Sequence, residues 1–273
     1  MAPYGCETSS VGGPDWNPNV NQPESNLPKT ALITGSGRQR LGASLARHLA
    51  TQGFRIALHY HQSKAAAEAT VTELKQAGTE VIALQADVTE QDQVEQMFAE
   101  FIEQFGRLDV LVTTASTWQP TPLEDLSAQQ LRDSFDVNTL GTALCCREAG
   151  LIMTGQPTGG SIITVGDWSV ERPYKDHLAY FISKGAIPTM TRALAVELAD
   201  RNPKVRVNCI HPGPVLFPEG LSESNRQQII DATLLKQANC PEAFHQAVQF
   251  FIENDFVTGV CLPVDGGRTI FPG

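Results

Sequence analysis

The chain has 273 residues and a formal net charge of -10 at pH 7. A chain of this length can bury a complete core as one α/β domain, and its acidic balance excludes a nucleic-acid ligand, because phosphate backbones are bound through Lys and Arg clusters. No stretch approaches the roughly 18 apolar residues that a membrane-spanning helix requires, so we expect neither nucleic acid nor a membrane as a partner.

Residues 1–28 are rich in Pro, Gly, Asn and Ser and contain neither the basic nor the apolar segment of a secretory signal. We predict a flexible N-terminal tail over residues 1–28 and one domain over residues 29–273. The cysteines form no CxxC pair and no metal-type spacing, which predicts reduced thiols in a cytoplasmic protein and no metal site. They are Cys6, Cys145, Cys146, Cys209, Cys240 and Cys261.

From Thr30 onward, short β-branched runs alternate with longer amphipathic segments. This alternation predicts a Rossmann-type, doubly wound parallel sheet of seven strands flanked by helices. The predicted strands are Ala31–Thr34, Arg55–His59, Val81–Gln85, Val110–Thr113, Ser161–Val165, Val205–Ile210 and Gly259–Val264. The predicted helices are Leu41–Thr51, Lys64–Gln76, Gln91–Phe105, Ala128–Ile152, Ala179–Asp200, Ser224–Gln237 and Pro241–Ile252.

The first strand runs into a glycine-rich turn that precedes the helix beginning at Leu41. Gly35, Gly37 and Gly42 predict a phosphate-binding turn, because a backbone that approaches a pyrophosphate closely needs residues without side chains and with positive φ angles. The N-terminal dipole of the helix favours the same anion. An ordinary glycine-rich loop is the alternative, and the strand and helix on either side favour the cofactor interpretation.

The end of the second strand indicates which dinucleotide binds. NAD-dependent enzymes usually carry an acidic residue there for the ribose 2′-hydroxyl, and this chain has none between His59 and Lys64. Cationic and hydroxyl donors suited to a 2′-phosphate are available instead, so we predict NADP(H) as the cofactor. These donors are Arg38, Arg40, Ser63 and Lys64. His59 is a further candidate, with a half-buried strand position as its alternative interpretation.

Tyr180 and Lys184 are spaced i, i+4 near the start of a predicted helix, so both side chains lie on one face. A phenol needs about 4 kcal/mol of phenolate stabilisation to titrate near neutral pH, and a nearby ammonium together with an oxidised nicotinamide can supply it. We therefore predict that Tyr180 delivers a proton while the cofactor delivers hydride. A surface helix pair that arose by chance is the alternative.

These motifs occur in a fixed order with several others. The further motifs are Asp87-Val88, Thr113-Thr114-Ala115, Asn138 and Pro212-Gly213. Over about Lys29 to Arg268, this order resembles the short-chain dehydrogenase/reductase family. The resemblance implies that Asn138 holds a water in a proton relay and that Lys184 also binds the nicotinamide ribose. The other cofactor contacts it implies are Asp87 and Val88 at the adenine, Thr114 and Ala115, and Pro212, Gly213 and Val215 around the carboxamide.

Two positions depart from the family pattern. Arg40 stands where the middle glycine of the turn normally lies, and Asp167 occupies the position of the catalytic serine, thirteen residues before Tyr180. A serine hydroxyl donates a hydrogen bond to a substrate carbonyl, whereas an ionised aspartate only accepts and repels a growing oxyanion. Asp167 and Tyr180 therefore favour a ring with N–H donors, or a C=N bond that is protonated as hydride adds, over a simple ketone.

The aspartate also marks the pteridine reductase branch of the family, including dihydrofolate and dihydromonapterin reductases, which this chain resembles. The segments that carry this resemblance are Arg40-Leu41-Gly42, His59-Tyr60-His61-Gln62-Ser63 and Ala115-Ser116-Thr117-Trp118. It implies that Trp118 stacks on the pterin and that Ser116 is a polar contact to it. The alternative for Trp118 is packing under a loop.

Two other functions stay open at this point. One is a carbonyl reductase of 3-oxoacyl thioesters, sugars or other ketones, in which Ser169 takes the serine role through a register shift. The other is a non-catalytic, NADP-binding regulator, suggested by the unusual glycine turn. The family resemblance also implies a homotetramer or a homodimer that acts on a small-molecule substrate.

Overall fold

Seven parallel strands form one sheet in this computed structural model, which describes residues 27–218 and 220–271. The predicted tail lies outside the described residues except for its last two. The strands are β1 Thr30–Thr34, β2 Arg55–Tyr60, β3 Val81–Gln85, β4 Val110–Thr113, β5 Gly160–Val165, β6 Val205–Pro212 and β7 Cys261–Val264. The helices are α1 Leu41–Thr51, α2 Lys64–Gln76, α3 Gln91–Phe105, α4 Ala128–Phe135, α5 Gly141–Thr154, α6 Leu178–Gly185, α7 Ile187–Arg201, α8 Glu223–Asp231 and α9 Pro241–Glu253.

The strand order is β3-β2-β1-β4-β5-β6-β7, which confirms the predicted Rossmann-type α/β fold. The chain runs outward from β1 through β2 to β3, then returns to the other side of β1 and continues in the opposite direction. The order therefore reverses between β1 and β4, whose register pairs Thr34 with Thr113. In open α/β sheets, the crevice at the carboxyl ends of the strands at this point is where ligands bind.

Two hydrophobic clusters cover the two faces of the sheet. Alternate residues of β1 point to opposite faces, so Ala31 and Ile33 belong to the cluster beneath α1 and α9, and Leu32 to the cluster beneath α3 and α5. Gly150 on α5 brings that helix close to α7, because a Cβ atom there would lie 2.6 Å from a methyl carbon of Leu198. Burial on both faces explains why these strands read as continuous apolar runs.

The long helix predicted over Ala128–Ile152 is present as one continuous helical segment, which a π-helical turn divides into α4 and α5. Between them lies a π-helical turn, Asp136–Leu140, which adds one residue to the turn and carries the buried Asn138. Such single turns interrupt helices most often at functional sites. Here the turn directs Asn138 toward the end of β4.

Two other predicted helices differ in their bounds. Ala179–Asp200 is divided into α6 and α7 at Ala186, since Pro188 has no N–H to continue the hydrogen-bond ladder. The helix predicted over Ser224–Gln237 ends at Asp231, and Lys236, within the predicted range, has a positive φ of 51° that is not helical. No helix in the described part of the chain is long and apolar enough to span a membrane.

Candidate active site

A cleft of about 560 Å³ opens at the carboxyl ends of β1, β4 and β5. It brings together most of the predicted site residues, from the glycine turn to the start of α6. The predicted residues that line it are Gly35, Gly37, Arg38, Arg40, Leu41, Gly42, His59, Ser63, Asp87, Val88, Thr114, Ala115, Ser116, Asp167, Tyr180, Lys184 and Pro212. Those that do not line it are Lys64, Trp118, Asn138, Gly213 and Val215.

The glycine turn packs tightly against two neighbouring strands. Gly35 has a φ of 66°, and a Cβ atom there would lie 2.5 Å from the Cα atom of Ala115. At Gly37 a Cβ atom would lie 2.5 Å from the Cβ atom of Tyr60, at the end of β2. Both positions therefore exclude any side chain, and the backbone is left bare on the side that faces the cleft.

His59 fastens the glycine turn to the sheet. Its Nδ1 atom accepts a hydrogen bond from the Gly35 amide at 3.0 Å, and its Nε2 atom lies 3.0 Å from the Ala86 carbonyl oxygen. These partners require a neutral ring that carries its proton on Nε2. Burial lowers the pKa of His59, consistent with that neutral form. His59 lines the cleft, but both ring nitrogens are already bonded to the protein's own backbone.

The mouth of the cleft beside the glycine turn is cationic. Arg38, Arg40 and Ser63 line it, and β2 ends at Tyr60 without a carboxylate. Lys64 differs from them, since its ammonium lies 3.8 Å from Glu68 on the next turn of α2. This arrangement fits a dinucleotide cofactor: the bare backbone of the glycine turn suits a diphosphate, and the guanidinium groups suit an anion beside it.

Asp87 and the segment that follows β4 line the cleft beside the glycine turn. The Asp87 carboxylate accepts hydrogen bonds from the Thr89 amide at 3.0 Å and the Thr89 hydroxyl at 2.8 Å, which shape the turn after β3. The Thr114 hydroxyl donates to the Thr34 carbonyl at 2.5 Å, which ties the end of β4 to β1.

Tyr180 and Lys184 lie on one face of α6, as their spacing predicted, and are only 6% and 3% exposed. The Lys184 ammonium donates to the Val165 carbonyl at 2.8 Å, and burial lowers its pKa, partly opposed by the negative charge of Asp167. The pKa of Tyr180 is raised, first by burial and then by Asp167. Burial and the Asp167 carboxylate, which accepts from the phenol hydroxyl, therefore oppose the acidic phenol that the spacing with Lys184 predicted.

Asp167 occupies the position at which the family carries its catalytic serine. Its Oδ2 atom accepts a hydrogen bond from the Tyr180 hydroxyl at 2.5 Å, and its Oδ1 atom accepts from the Ser169 amide at 2.8 Å and the Ser169 hydroxyl at 2.5 Å. Ser169 is fully buried and does not line the cleft. These residues do not show the register shift that would bring Ser169 into the serine role. The Ser169 hydroxyl instead donates a hydrogen bond to the Asp167 carboxylate.

Asn138 lies behind the cleft and joins its two halves. The side-chain Oδ1 atom accepts from the Thr117 amide at 2.8 Å and the Ser116 hydroxyl at 3.0 Å. Its Nδ2 atom donates to the Thr117 carbonyl at 3.0 Å and the Ser183 hydroxyl at 2.9 Å. The amide group therefore fixes the segment after β4 against α6, and with it the separation of Ser116 from Tyr180.

Trp118 lies outside the cleft although both its neighbours, Thr117 and Gln119, line it. The indole is 51% exposed, stacks on His177 with ring centroids 4.6 Å apart, and donates to the Tyr174 hydroxyl at 3.0 Å. Gly213 and Val215 also turn away, since Gly213 packs against Asp265 beside β7 and Val215 joins the core under α9. The predicted ligand roles of these three residues stay predictions.

Sequence reasoning assigned no role to several residues that line the cleft. Thr117, Gln119 and Val137 follow β4 or precede Asn138, and Gly166 comes directly before Asp167. For Thr117, Gln119 and Gly166, a position just beyond the carboxyl end of a strand is the signal that could have identified them, whereas Val137 lies in the π-helical turn and carried no such signal.

Comparison with known proteins identifies the family. A family model described as enoyl-(acyl carrier protein) reductase matches residues 37–269. The chain belongs to the short-chain dehydrogenase/reductase family. An uncharacterised oxidoreductase of Methylorubrum extorquens is 33% identical over 246 residues, which cover 88% of this chain and 97% of that protein. The 3-oxoacyl-[acyl-carrier-protein] reductase of Staphylococcus aureus is 32% identical over 248 residues, covering 88% and 98%.

Solved structures agree with this assignment. A dehydrogenase/reductase from Sinorhizobium meliloti 1021 matches with a TM-score of 0.80 at 30% identity, over 89% of this chain and 96% of that one. As a short-chain dehydrogenase/reductase, the protein is an oxidoreductase that uses a nicotinamide cofactor.

Proposed function

We propose that the protein is an NADPH-dependent reductase of a pteridine or dihydrofolate-type substrate. The observation that carries this proposal is the 2.5 Å hydrogen bond from the Tyr180 hydroxyl to the Asp167 carboxylate, at the edge of the dinucleotide cleft. A carboxylate at this position accepts hydrogen bonds and donates none, so it selects a substrate that presents N–H groups.

The proposed cofactor preference rests on charge at the mouth of the cleft. Arg38 and Arg40 line it, and the end of β2 offers no carboxylate to a ribose hydroxyl. An arginine fork binds a phosphate dianion through charge-assisted hydrogen bonds that a hydroxyl cannot match. NADPH is therefore preferred over NADH. When bound, it supplies the hydride.

The chain's own residues supply the proton and orient the substrate. The raised pKa of Tyr180 keeps the phenol protonated until a basic atom comes within reach of its hydroxyl. A ring nitrogen that gains electron density as hydride arrives at the adjacent carbon is such an atom, whereas an oxyanion would be repelled by Asp167. Ser169 holds the carboxylate in place, and Asn138 holds the facing wall formed by Ser116 and Thr117.

The direct test follows NADPH absorbance with dihydrobiopterin, dihydromonapterin and dihydrofolate. We expect turnover with at least one of them, and Tyr180→Phe should reduce kcat by about 10²- to 10⁴-fold while the Kd of NADPH stays unchanged. Flat traces with all three substrates would reject the pterin assignment. A Tyr180→Phe variant as fast as the parent would reject the proposed proton donor.

A carbonyl reductase is the second candidate, favoured by the name of the Staphylococcus aureus relative, which acts on a 3-oxoacyl thioester. The same assay with a 3-oxoacyl thioester and a sugar distinguishes the two. In the pterin reductase, Asp167→Ala abolishes turnover and Ser169→Ala weakens it slightly, whereas a ketone reductase that uses the serine gives the reverse order.

A cofactor-binding regulator is the third candidate. Tight NADPH binding without turnover of any substrate on the panel would support it, and the retained Tyr180, Lys184 and Asn138 argue against it.

We also propose that the protein is a cytoplasmic homotetramer or homodimer. Its cysteines within the described residues are free thiols, which supports a reducing compartment, and light scattering measures the assembly.

A further inference from the structure

Two cysteines and a histidine meet on one face of β6 and β7, away from the part of the cleft beside the glycine turn. Cys209 on β6 is the register partner of Cys261 on β7, and His211 follows Cys209 by two residues, so all three side chains lie on the same face of the sheet. The two sulfur atoms and a ring nitrogen lie within 4.8 Å of one another. Among the described residues, these three side chains form the group of potential metal ligands that lie close enough together to hold one ion.

His211 provides a second observation that points to a ligand at this cluster. Its ring is 4% exposed, and its Nε2 atom has no hydrogen-bond partner among the described residues. Buried polar atoms without a partner are rare, because leaving one unsatisfied costs about 1–3 kcal/mol. A metal ion between the imidazole and the two sulfurs satisfies this atom.

The space around the cluster is kept open by Gly166. A Cβ atom at this position would lie 2.6 Å from Cδ2 and 2.8 Å from Nε2 of His211, and 3.2 Å from Sγ of Cys209. Any larger residue would therefore push the ring away from the sulfurs. The cluster thus lies directly beneath the residue that precedes Asp167, although it shares no ligand with the active site.

We infer that Cys209, His211 and Cys261 bind one soft or borderline divalent cation, for which Zn²⁺ is the natural probe. Zinc takes thiolate ligands at about 2.3 Å and imidazole at about 2.0–2.1 Å, so tetrahedral donors lie roughly 3.4–3.8 Å apart. The observed spread of up to 4.8 Å needs only a small closure of the side chains. Thiolate and imidazole donors select zinc over Mg²⁺ or Ca²⁺.

The accessibility of the three donors suits loading from solvent. Cys209 and His211 are buried, whereas Cys261 is partly exposed at the edge strand β7.

A disulfide between Cys209 and Cys261 is the competing use of the same atoms. It would consume both sulfurs and leave Nε2 of His211 buried without a partner, whereas metal binding employs all three groups. The cluster also escaped the spacing rules for metal motifs, because two of its ligands are separated by fifty residues of chain and meet only through the β6–β7 pairing.

The test is a Co²⁺ titration of the full-length protein, reduced with a phosphine and freed of metal. We expect thiolate-to-cobalt charge-transfer absorption that saturates at one equivalent and is displaced by Zn²⁺. Cys261→Ser and His211→Gln should weaken binding at least about 100-fold, and Cys240→Ser, which removes a partly exposed thiol elsewhere, should leave it unchanged. Native mass spectrometry with Zn²⁺ gives an independent stoichiometry.

The outcomes are distinct. Absorption that persists in Cys261→Ser, or disappears in Cys240→Ser, places the metal elsewhere and overturns the inference. Absence of the absorption in the reduced parent, with its thiols titrating as free, overturns it as well. If His211→Gln does not fold, judged by circular dichroism, Cys261→Ser decides, since that residue lies partly exposed on an edge strand. Because the readout is spectroscopic, it is independent of the pterin assay.

Discussion

The hydroxyl of Tyr180 donates to Asp167 across 2.5 Å, and Asp167 in turn raises the pKa of that tyrosine. Burial and this carboxylate together keep the Tyr180 phenol protonated. The arrangement reverses the simple view of this helix pair, in which Lys184 makes the phenol acidic. The charge at residue 167 is therefore the property that a test substitution should change.

Replacing that charge should change both catalysis and the titration of the phenol. Asp167→Asn retains the shape but removes the charge, so we expect kcat to fall by about 10²- to 10⁴-fold. Removing the carboxylate lowers the pKa of Tyr180, and its phenolate should therefore form at a lower pH. Ultraviolet difference titration of Asp167→Asn against Asp167→Asn/Tyr180→Phe measures this. The same onset of ionisation in the parent and in Asp167→Asn would contradict it.

Gly35 and Gly53 form a matched pair for testing the glycine turn. Both have positive φ angles, 66° and 82°, but a Cβ atom at Gly35 would strike the Ala115 backbone, whereas nothing lies within 4 Å at Gly53. Gly53→Ala should cost about 1–2 kcal/mol of unfolding free energy from backbone strain alone. Gly35→Ala should cost a further 1–3 kcal/mol, roughly, and weaken NADPH binding. Denaturant unfolding and fluorescence titration measure these effects, and equal costs at the two positions would contradict the packing argument.

The guanidinium groups at the mouth of the cleft should determine cofactor choice. We expect Arg38→Ala and Arg40→Ala together to raise the Kd of NADPH at least about tenfold and to leave the Kd of NADH nearly unchanged. Only NADPH carries a 2′-phosphate, so only its complex loses a charge-assisted hydrogen bond. Lys75→Ala removes an exposed cation from the far end of α2 and serves as the control. An equal loss for both cofactors would show that the arginines do not read the 2′-phosphate.

A buried histidine should make the protein less stable in mild acid. His245 lies against His48 and Ser44, and burial together with His48 lowers its pKa to about 4. The unfolded chain takes up this proton near pH 6.5, the folded protein only near pH 4. The unfolding free energy should therefore decrease as the pH falls from 6.5 to 4, by no more than about 1.4 kcal/mol per pH unit.

The variant His245→Gln removes this titration, so its unfolding free energy should depend less steeply on pH across the same window. Gln52→Ala, which alters an exposed and uncharged side chain, should keep the slope of the parent. Urea unfolding at several pH values measures all three proteins. Parallel curves for the parent and His245→Gln would show that His245 is not the titrating group.

Local signals in the amino-acid sequence were sufficient for the fold and for the backbone of the site. The short β-branched runs and the helical patterns identified the seven strands along the chain, since each pattern spans one element and reports burial directly. The glycines of the turn and the i, i+4 spacing of Tyr180 and Lys184 are local as well. These features need no knowledge of distant contacts, so they could be predicted.

What depends on residues far apart in the chain became visible only in three dimensions. The π-helical turn that aims Asn138 at Thr117 interrupts a pattern that reads as one helix, and the stack of Trp118 on His177 joins loops fifty-nine residues apart. Ser169 turns its hydroxyl toward Asp167 rather than into the cleft, and Cys209 meets Cys261 because β6 pairs with β7. Side-chain direction and partner choice follow from packing of the whole molecule, and no spacing along the chain encodes them.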